Sequence, residues 1–124
     1  MAIRGVRGAT TVHEDQADQL LAATQELLEA ILTANPGMAT QEIASVLFTV
    51  TNDLSSAFPA LAARRIGWDS VPMMCASEIP VPGSLPHCIR VLLHWNTDIP
   101  QDRVRHIYLR EAVKLRPDLA SHAQ

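Results

Sequence analysis

The sequence has little of what nucleic-acid-binding proteins use. Aromatic residues make up 4% of its 124 residues, which leaves few side chains on which bases could stack. Ten basic residues stand against 13 acidic ones, so the formal net charge is −3 and no broad positive field would attract a polyanion. We therefore expect no nucleic-acid partner. The basic residues include one lysine, Lys114. The arginine excess suits bidentate binding of carboxylates, although a compositional bias explains it equally well.

Long apolar runs and a secretion signal are also missing. No stretch approaches the roughly 18 consecutive apolar residues of a membrane-spanning helix, and the first eight residues lack the apolar core of a signal peptide. We expect the two cysteines, Cys75 and Cys88, to stay reduced. The expectation is a cytoplasmic protein with no membrane contact.

The motifs of several common enzyme classes do not occur. There is no phosphate-binding GxxxxGK[ST] loop or GxGxxG turn. The five histidines lack the spacing of a metal site, and no Ser/His/Asp or Cys/His arrangement supports a nucleophile. We therefore expect neither a metal nor a cofactor.

The hydrophobic pattern predicts one domain over residues 1–124, with a polar tail from about 116 to 124. Leucines and isoleucines recur at helical spacing over residues 14–33, up to an Asn-Pro-Gly stop. A shorter helix is predicted over 58–66 and a helical turn over 110–114. Strands are predicted over 2–12, 45–51, 71–75 and 88–97, although the periodicity at 45–51 also allows a helix. Residues 104–109 are predicted to form a short strand or an extended segment. The fold class is thus α/β or α+β, a mixed sheet with one long helix. Because one helix covers only one face of such a sheet, a homo-oligomer is expected.

Positive charge stands at unusual positions in these strands. Arg90 interrupts an otherwise apolar strand, where an unpaired guanidinium group is costly to bury. It needs an anionic partner, and both Glu78 and a bound ligand remain possible. Arg7 lies between Val6 and Gly8, where small neighbours allow close approach, although it could also be an edge-strand charge. Together the arginines suggest a site for a small polycarboxylate.

The whole chain, from residue 3 to about 119, resembles a known family. The matching segments are IRGVRGATTV at 3–12, FPA at 58–60, GW at 67–68, VP at 71–72, CASE at 75–78, CIRV at 88–91, PQD at 100–102, RHIYL at 105–109 and LRPDL at 115–119. Their order and spacing are similar to those of the monofunctional, Bacillus-type chorismate mutases of the AroH class.

This resemblance implies a homotrimer with a pseudo-α/β-barrel core and active sites at the subunit interfaces. It implies an isomerase that converts chorismate to prephenate by a Claisen rearrangement, on the shikimate route to phenylalanine and tyrosine. Such a reaction needs no cofactor, metal or covalent intermediate.

The resemblance also assigns roles to residues. Arg90 and Glu78 would be catalytic: Arg90 would donate to the ether oxygen and a carboxylate, and Glu78, with Cys75, would bind the ring hydroxyl. Arg7 and Tyr108 would hold the side-chain carboxylate. Further substrate-binding positions that line or close the pocket would be Phe58, Arg64, Met74, Leu115 and Arg116.

Two positions depart from the family pattern. Leu61 stands where a lysine is common, so a secondary anion contact is lost or is supplied by Arg65. Met74 stands where threonine is familiar, so a hydroxyl beside the substrate ring is missing. Two other functions remain open at this point: a trimer like the imine deaminases that act on reactive intermediates, and a non-catalytic trimer that binds small carboxylates.

Overall fold

Five strands form a single mixed sheet in the computed structural model, which describes residues 2–115. The strands are β1 (Ile3–Thr11), β2 (Ile43–Val50), β3 (Met73–Ser77), β4 (Cys88–Asn96) and β5 (Ile107–Tyr108). Their order across the sheet is β3-β2-β4-β1-β5. The central strand β4 runs antiparallel to β1 and β2, whereas β3 is parallel to β2 and β5 is parallel to β1.

Helices complete the architecture. The two α-helices are α1 (Ala17–Ala34) and α2 (Ala60–Arg65), and 3₁₀ helices occupy Thr40–Glu42, Gln101–Arg103 and Arg110–Leu115. The predicted class, a mixed sheet with one long helix and short ones, is confirmed. No helix within residues 2–115 is both long and apolar enough to cross a lipid bilayer.

The hydrophobic core lies between the sheet and α1. Along β4, Val91, Leu93 and Trp95 are at most 3% exposed, while the residues between them are half-buried. This alternation follows from the two-residue period of a strand, which sends successive side chains to opposite faces. Leu27 and Ile31 of α1 are fully buried in the same core. The sheet therefore has an inner face against α1 and an outer face turned away from it.

The long helix begins three residues later than the sequence pattern predicts. Gln16 is the N-cap, with an extended backbone and a side-chain oxygen that accepts from the backbone N–H of Gln19 at 2.9 Å. Three acidic residues, Glu14, Asp15 and Asp18, stand at the predicted start of this helix, where the helix dipole favours them, but only Asp18 lies in its first turn. Asp15 precedes the N-cap, and its carboxylate binds a distant loop.

The bounds of β3 and β5 differ most from the predicted ones. β3 starts at Met73 rather than at residue 71, because Pro72 has no N–H to donate and contributes only its carbonyl, which accepts from Val46 N at 2.9 Å. β5 spans two residues instead of 104–109. The backbone N–H of Arg7, which could pair with a longer β5, donates to Nδ1 of the His106 side chain at 2.9 Å.

Gly8 is where the sheet and the long helix approach most closely. A Cβ atom added there would lie 2.9 Å from Ile31 Cδ1, 3.1 Å from Val91 Cγ1 and 3.2 Å from Leu27 Cδ1. Such distances are shorter than ordinary van der Waals contact. A side chain in the middle of β1 would force these side-chain ends to shift, because the helix packs into the space that glycine leaves.

Replacing this glycine should therefore loosen the packing of sheet and helix. We expect Gly8→Ala to lower the free energy of unfolding by about 1–3 kcal/mol, the usual cost of overpacking a core. Urea denaturation followed by circular dichroism would measure it. Gly5→Ala is the matched control, since its added Cβ would lie 3.8 Å from Leu92 Cδ1. Equal effects of the two changes would contradict this account of the packing.

Candidate active site

Four of the predicted site residues meet on the outer face of the sheet. Arg7, Glu78, Arg90 and Tyr108 line one cavity of about 200 Å³. Strand register brings them together. Ala9 of β1 pairs with Arg90 of β4 on one side and with Tyr108 of β5 on the other. Arg7 lies two residues before Ala9 and therefore on the same face of β1. Paired residues share a face of the sheet, so three separate strands deliver these side chains to one place.

Glu78 reaches this cavity from the end of β3. Its backbone N–H donates to the carbonyl of Val50 at 2.8 Å, which extends the pairing of β2 and β3 by one residue. Its carboxylate accepts a hydrogen bond from the hydroxyl of Thr49. The shortest approach to the guanidinium is 3.7 Å, from Arg90 Nε to Glu78 Oε2. That distance permits electrostatic attraction but exceeds hydrogen-bond length.

Two donors in this cavity have no partner. Arg90 Nε and the Tyr108 hydroxyl are buried, and neither makes a hydrogen bond within the described residues 2–115. Buried polar groups are nearly always paired, because an unmade hydrogen bond leaves the full cost of desolvation. A cavity with two unpaired donors and two arginines is suited to binding an anionic, oxygen-rich molecule.

Other predicted residues line a second cavity, at the β3 edge of the sheet. It has a volume of about 390 Å³ and includes Phe58 and Cys75. Phe58 is 74% exposed. Cys75 pairs with the fully buried Phe48 and thus belongs to the inner face, opposite Arg90. Within one chain, Cys75 and Glu78 therefore line different cavities, and the two do not meet at one ring hydroxyl as predicted.

The remaining predicted residues are dispersed. Met74 is 71% exposed and lies on the outer face beside Leu47, in a shallow third cavity. Arg64 is exposed on α2, where Leu61 is also partly exposed. Leu115 packs against a small cluster that contains Tyr108. Arg116 lies outside the described residues.

Asp15 holds the loop that leads to Phe58. Its carboxylate accepts from the backbone N–H groups of Ser55 and Ser56, each at 3.1 Å, and from the Ser55 hydroxyl at 3.2 Å. Hydrogen bonds from Ser56 and Ser55 lower the pKa of Asp15, so the carboxylate stays charged and the loop stays attached at neutral pH. Sequence reasoning missed this contact, because the two segments are 40 residues apart.

Within residues 2–115, no group of three His, Cys, Asp or Glu side chains is arranged to hold a metal ion.

Comparisons with known proteins identify the family to which this chain belongs. The sequence model of chorismate mutase type I matches residues 3–119. The chain belongs to this family. Family membership makes it a chorismate mutase, an isomerase, and neither alternative drawn from the sequence is supported.

Individual relatives agree with the assignment over nearly the whole length. Chorismate mutase AroH of Thermus thermophilus is 62% identical over 119 residues, covering 96% of this chain and 98% of the relative. Chorismate mutase AroH of Bacillus subtilis is 46% identical over 121 residues, covering 97% and 94%. The solved chorismate mutase from Clostridium thermocellum is 50% identical, with a TM-score of 0.85, and the match covers 87% of this chain and 96% of that one.

The two cysteines are both free and should react very differently with thiol reagents. Burial raises the pKa of the Cys88 thiol, and the positive charge of Arg90 opposes that shift only in part. Cys88 is 1% exposed, whereas Cys75 is partly accessible. We expect iodoacetamide at neutral pH to label Cys75 well before Cys88, because the thiolate is the reacting form.

Peptide mass spectrometry over a time course would measure both labelling rates. The Cys75→Ser variant serves as the control and should stay unlabelled until urea unfolds it. Equal labelling rates of the two thiols in the folded protein would show that the environment of Cys88 is wrongly described.

Proposed function

We propose that the cavity formed by Arg7, Glu78, Arg90 and Tyr108 binds chorismate and rearranges it to prephenate. The observation that carries this assignment is the pair of buried, unpartnered donors, Arg90 Nε and the Tyr108 hydroxyl, in a cavity that two guanidinium groups share. Chorismate is a dianion with an ether oxygen, and it offers acceptors to each of these donors. Prephenate is its isomer, so no atom is gained or lost.

The reaction needs geometry and charge more than proton transfer. In the Claisen rearrangement the ether C–O bond breaks while a C–C bond forms within the same molecule. The flexible side chain must be held in a compact, chair-like form, and holding it so removes much of the entropic barrier. We propose that Arg7 and Tyr108 do this by binding the side-chain carboxylate from β1 and β5.

Arg90 has the leading electrostatic role in this proposal. Negative charge grows on the ether oxygen as the C–O bond lengthens, and a donor aimed at that oxygen stabilises the transition state more than the ground state. The Arg90 guanidinium can donate to the ether oxygen and to a carboxylate at once. Glu78 then binds the ring hydroxyl and opposes the positive charge that develops on the ring.

We further propose that the protein is a homotrimer whose sites lie between subunits. Phe58 and Cys75 face a cavity other than that of Arg90, so a neighbouring subunit would have to supply them to a shared site. Large apolar side chains are exposed at and near the β3 edge, as expected of a surface that another subunit covers. They are Phe58, Met74, Ile79 and Val81. Arg64, Leu115 and Arg116 would complete or close such a site.

We place this enzyme in the cytoplasm, in phenylalanine and tyrosine biosynthesis. Both cysteines are free thiols, as is usual in a reducing compartment. The described residues contain no helix that could anchor the chain in a bilayer.

Removing the Arg90 guanidinium should abolish most of the activity. We expect Arg90→Ala to lower kcat/KM by about 10²–10³-fold, the usual effect of losing one donor to the transition state. Arg90→Lys should remain impaired, because one ammonium group cannot replace the guanidinium fork. Loss of chorismate absorbance would measure turnover. Near-normal rates in either purified variant would exclude the central role of Arg90.

Mixed oligomers can test whether two subunits share each site. Arg90→Ala and Phe58→Asp, each inactive alone, would be co-refolded in equal amounts. A site would be intact when the subunit that supplies residue 90 carries arginine and the neighbour that supplies residue 58 carries phenylalanine. Each of these two conditions holds with a chance of one half, so about a quarter of the sites would recover in a cyclic oligomer. No recovery in verified mixed trimers would mean that both residues come from one chain.

A further inference from the structure

Thr49 stands next to the two proposed catalytic groups, and family resemblance assigns it no role. It is the residue of β2 that pairs with Arg90 on β4 and with Ala76 on β3. Because paired residues share a face of the sheet, its hydroxyl lies on the outer face, in the cavity that Glu78 and Arg90 line. Phe48, the preceding residue of β2, and Val91, with which it pairs on β4, belong instead to the core on the other face of the sheet.

The Glu78 carboxylate is held by this hydroxyl. Thr49 Oγ1 donates to Glu78 Oε2, and it is the hydrogen-bond donor to this carboxylate within the described residues 2–115. The Glu78 backbone is fixed separately, through the bond from its N–H to Val50 O at 2.8 Å. Both anchors lie on consecutive residues of β2. A strand of the rigid sheet therefore sets the position of a side chain that stands in a loop.

The same contact keeps Glu78 away from Arg90. Glu78 Oε2 accepts the bond from Thr49 and stays 3.7 Å from Arg90 Nε, which has no hydrogen-bond partner among the described residues. A carboxylate free to rotate would close this gap, since charge-assisted bonds between arginine and carboxylate are short and strong. Closing it would occupy the donor that a substrate oxygen needs.

We propose that Thr49 is a positioning residue for the rearrangement: its hydroxyl orients Glu78 and keeps Arg90 Nε free for substrate. This inference rests on the proposed site and goes one step beyond it, to a residue that need not touch the substrate. Because Glu78 and Arg90 act on charge that develops only in the transition state, losing their alignment lowers kcat more than it raises KM.

Valine is the nearest shape to threonine without a hydroxyl, and it also favours strands. We expect Thr49→Val to lower kcat by roughly 10- to 100-fold, since hydrogen bonds to charged groups have energies that correspond to such factors. KM should change less than kcat. Thr49→Ser, which keeps the hydroxyl, should retain kcat within about threefold of the wild type. Steady-state assays with chorismate and thermal unfolding of each variant supply the readouts.

Ser45→Ala is the matched control, because Ser45 is on the same strand and the same face. Its hydroxyl is 2.9 Å from His94 Nδ1 and makes no contact with Glu78 or Arg90. This variant should keep the wild-type kcat. An equal loss of kcat in Ser45→Ala and Thr49→Val would overturn the proposal, because any outer-face hydroxyl would then matter.

The other possible results for the Thr49 variants also support or refute the positioning role. Unchanged kcat in Thr49→Val overturns the positioning role, and so does a loss in Thr49→Ser as large as that in Thr49→Val. If Thr49→Val unfolds at lower temperature, the serine variant still tests the hydroxyl, since restored kcat supports the proposal and impaired kcat refutes it. Wild-type protein that forms no prephenate would refute the proposed function itself, which is a separate result.

Discussion

A guanidinium group on the outer face of a β-sheet, with its Nε buried, favours an anionic partner, and the rest of the site depends on that preference. Arg90 stands on the central strand β4, and its Nε is buried although its side chain as a whole is 37% exposed. Such a charge is costly to remove from water unless a partner compensates it. Glu78 stops at 3.7 Å and compensates in part. The part of the positive charge that Glu78 leaves uncompensated makes the cavity suited to an anionic molecule, and its donors are in place before any ligand binds.

The sheet decides where these charges stand. A strand sends alternate side chains to opposite faces, so β4 can bury Val91 and Leu93 against α1 and still present Arg90 on the outer face. Its two antiparallel neighbours then place Ala9 on one side of Arg90 and Thr49 on the other. The inner face of the sheet thus carries the apolar residues that stabilise the fold, and the outer face carries the polar residues of the cavity. The packed core makes the positions of these polar groups rigid.

One chain contains only part of what the family resemblance assigns to the site. The outer-face cavity has the charges, whereas Phe58 and Cys75 line a different cavity at the β3 edge. Asp15 keeps the Phe58 loop attached to the start of α1 through bonds to Ser55 and Ser56. A side chain that is 74% exposed but held on a fixed loop is available to a neighbouring subunit. This division is the reason to test activity in mixed oligomers.

Much of the fold could be predicted, because periodicity and sequence-local rules determine it. The leucine spacing of α1, the alternation along β4 and an arginine at position 90 within apolar residues are all visible in the sequence. The bounds of β5 were not predictable in the same way. They depend on which groups reach the backbone across the sheet, such as the His106 side chain that accepts from Arg7 N.

The sequence by itself determined the elements, the charged residues and, through whole-chain resemblance, the family. Only the tertiary structure decided that Thr49 donates to Glu78, that Asp15 holds a loop rather than the first turn of α1, and that Cys75 faces away from Arg90. The physical reason is the same in each case. Hydrogen bonds act over about 3 Å, and only the folded arrangement of strands, helix and loops brings residues that are 29 or 40 positions apart to that distance.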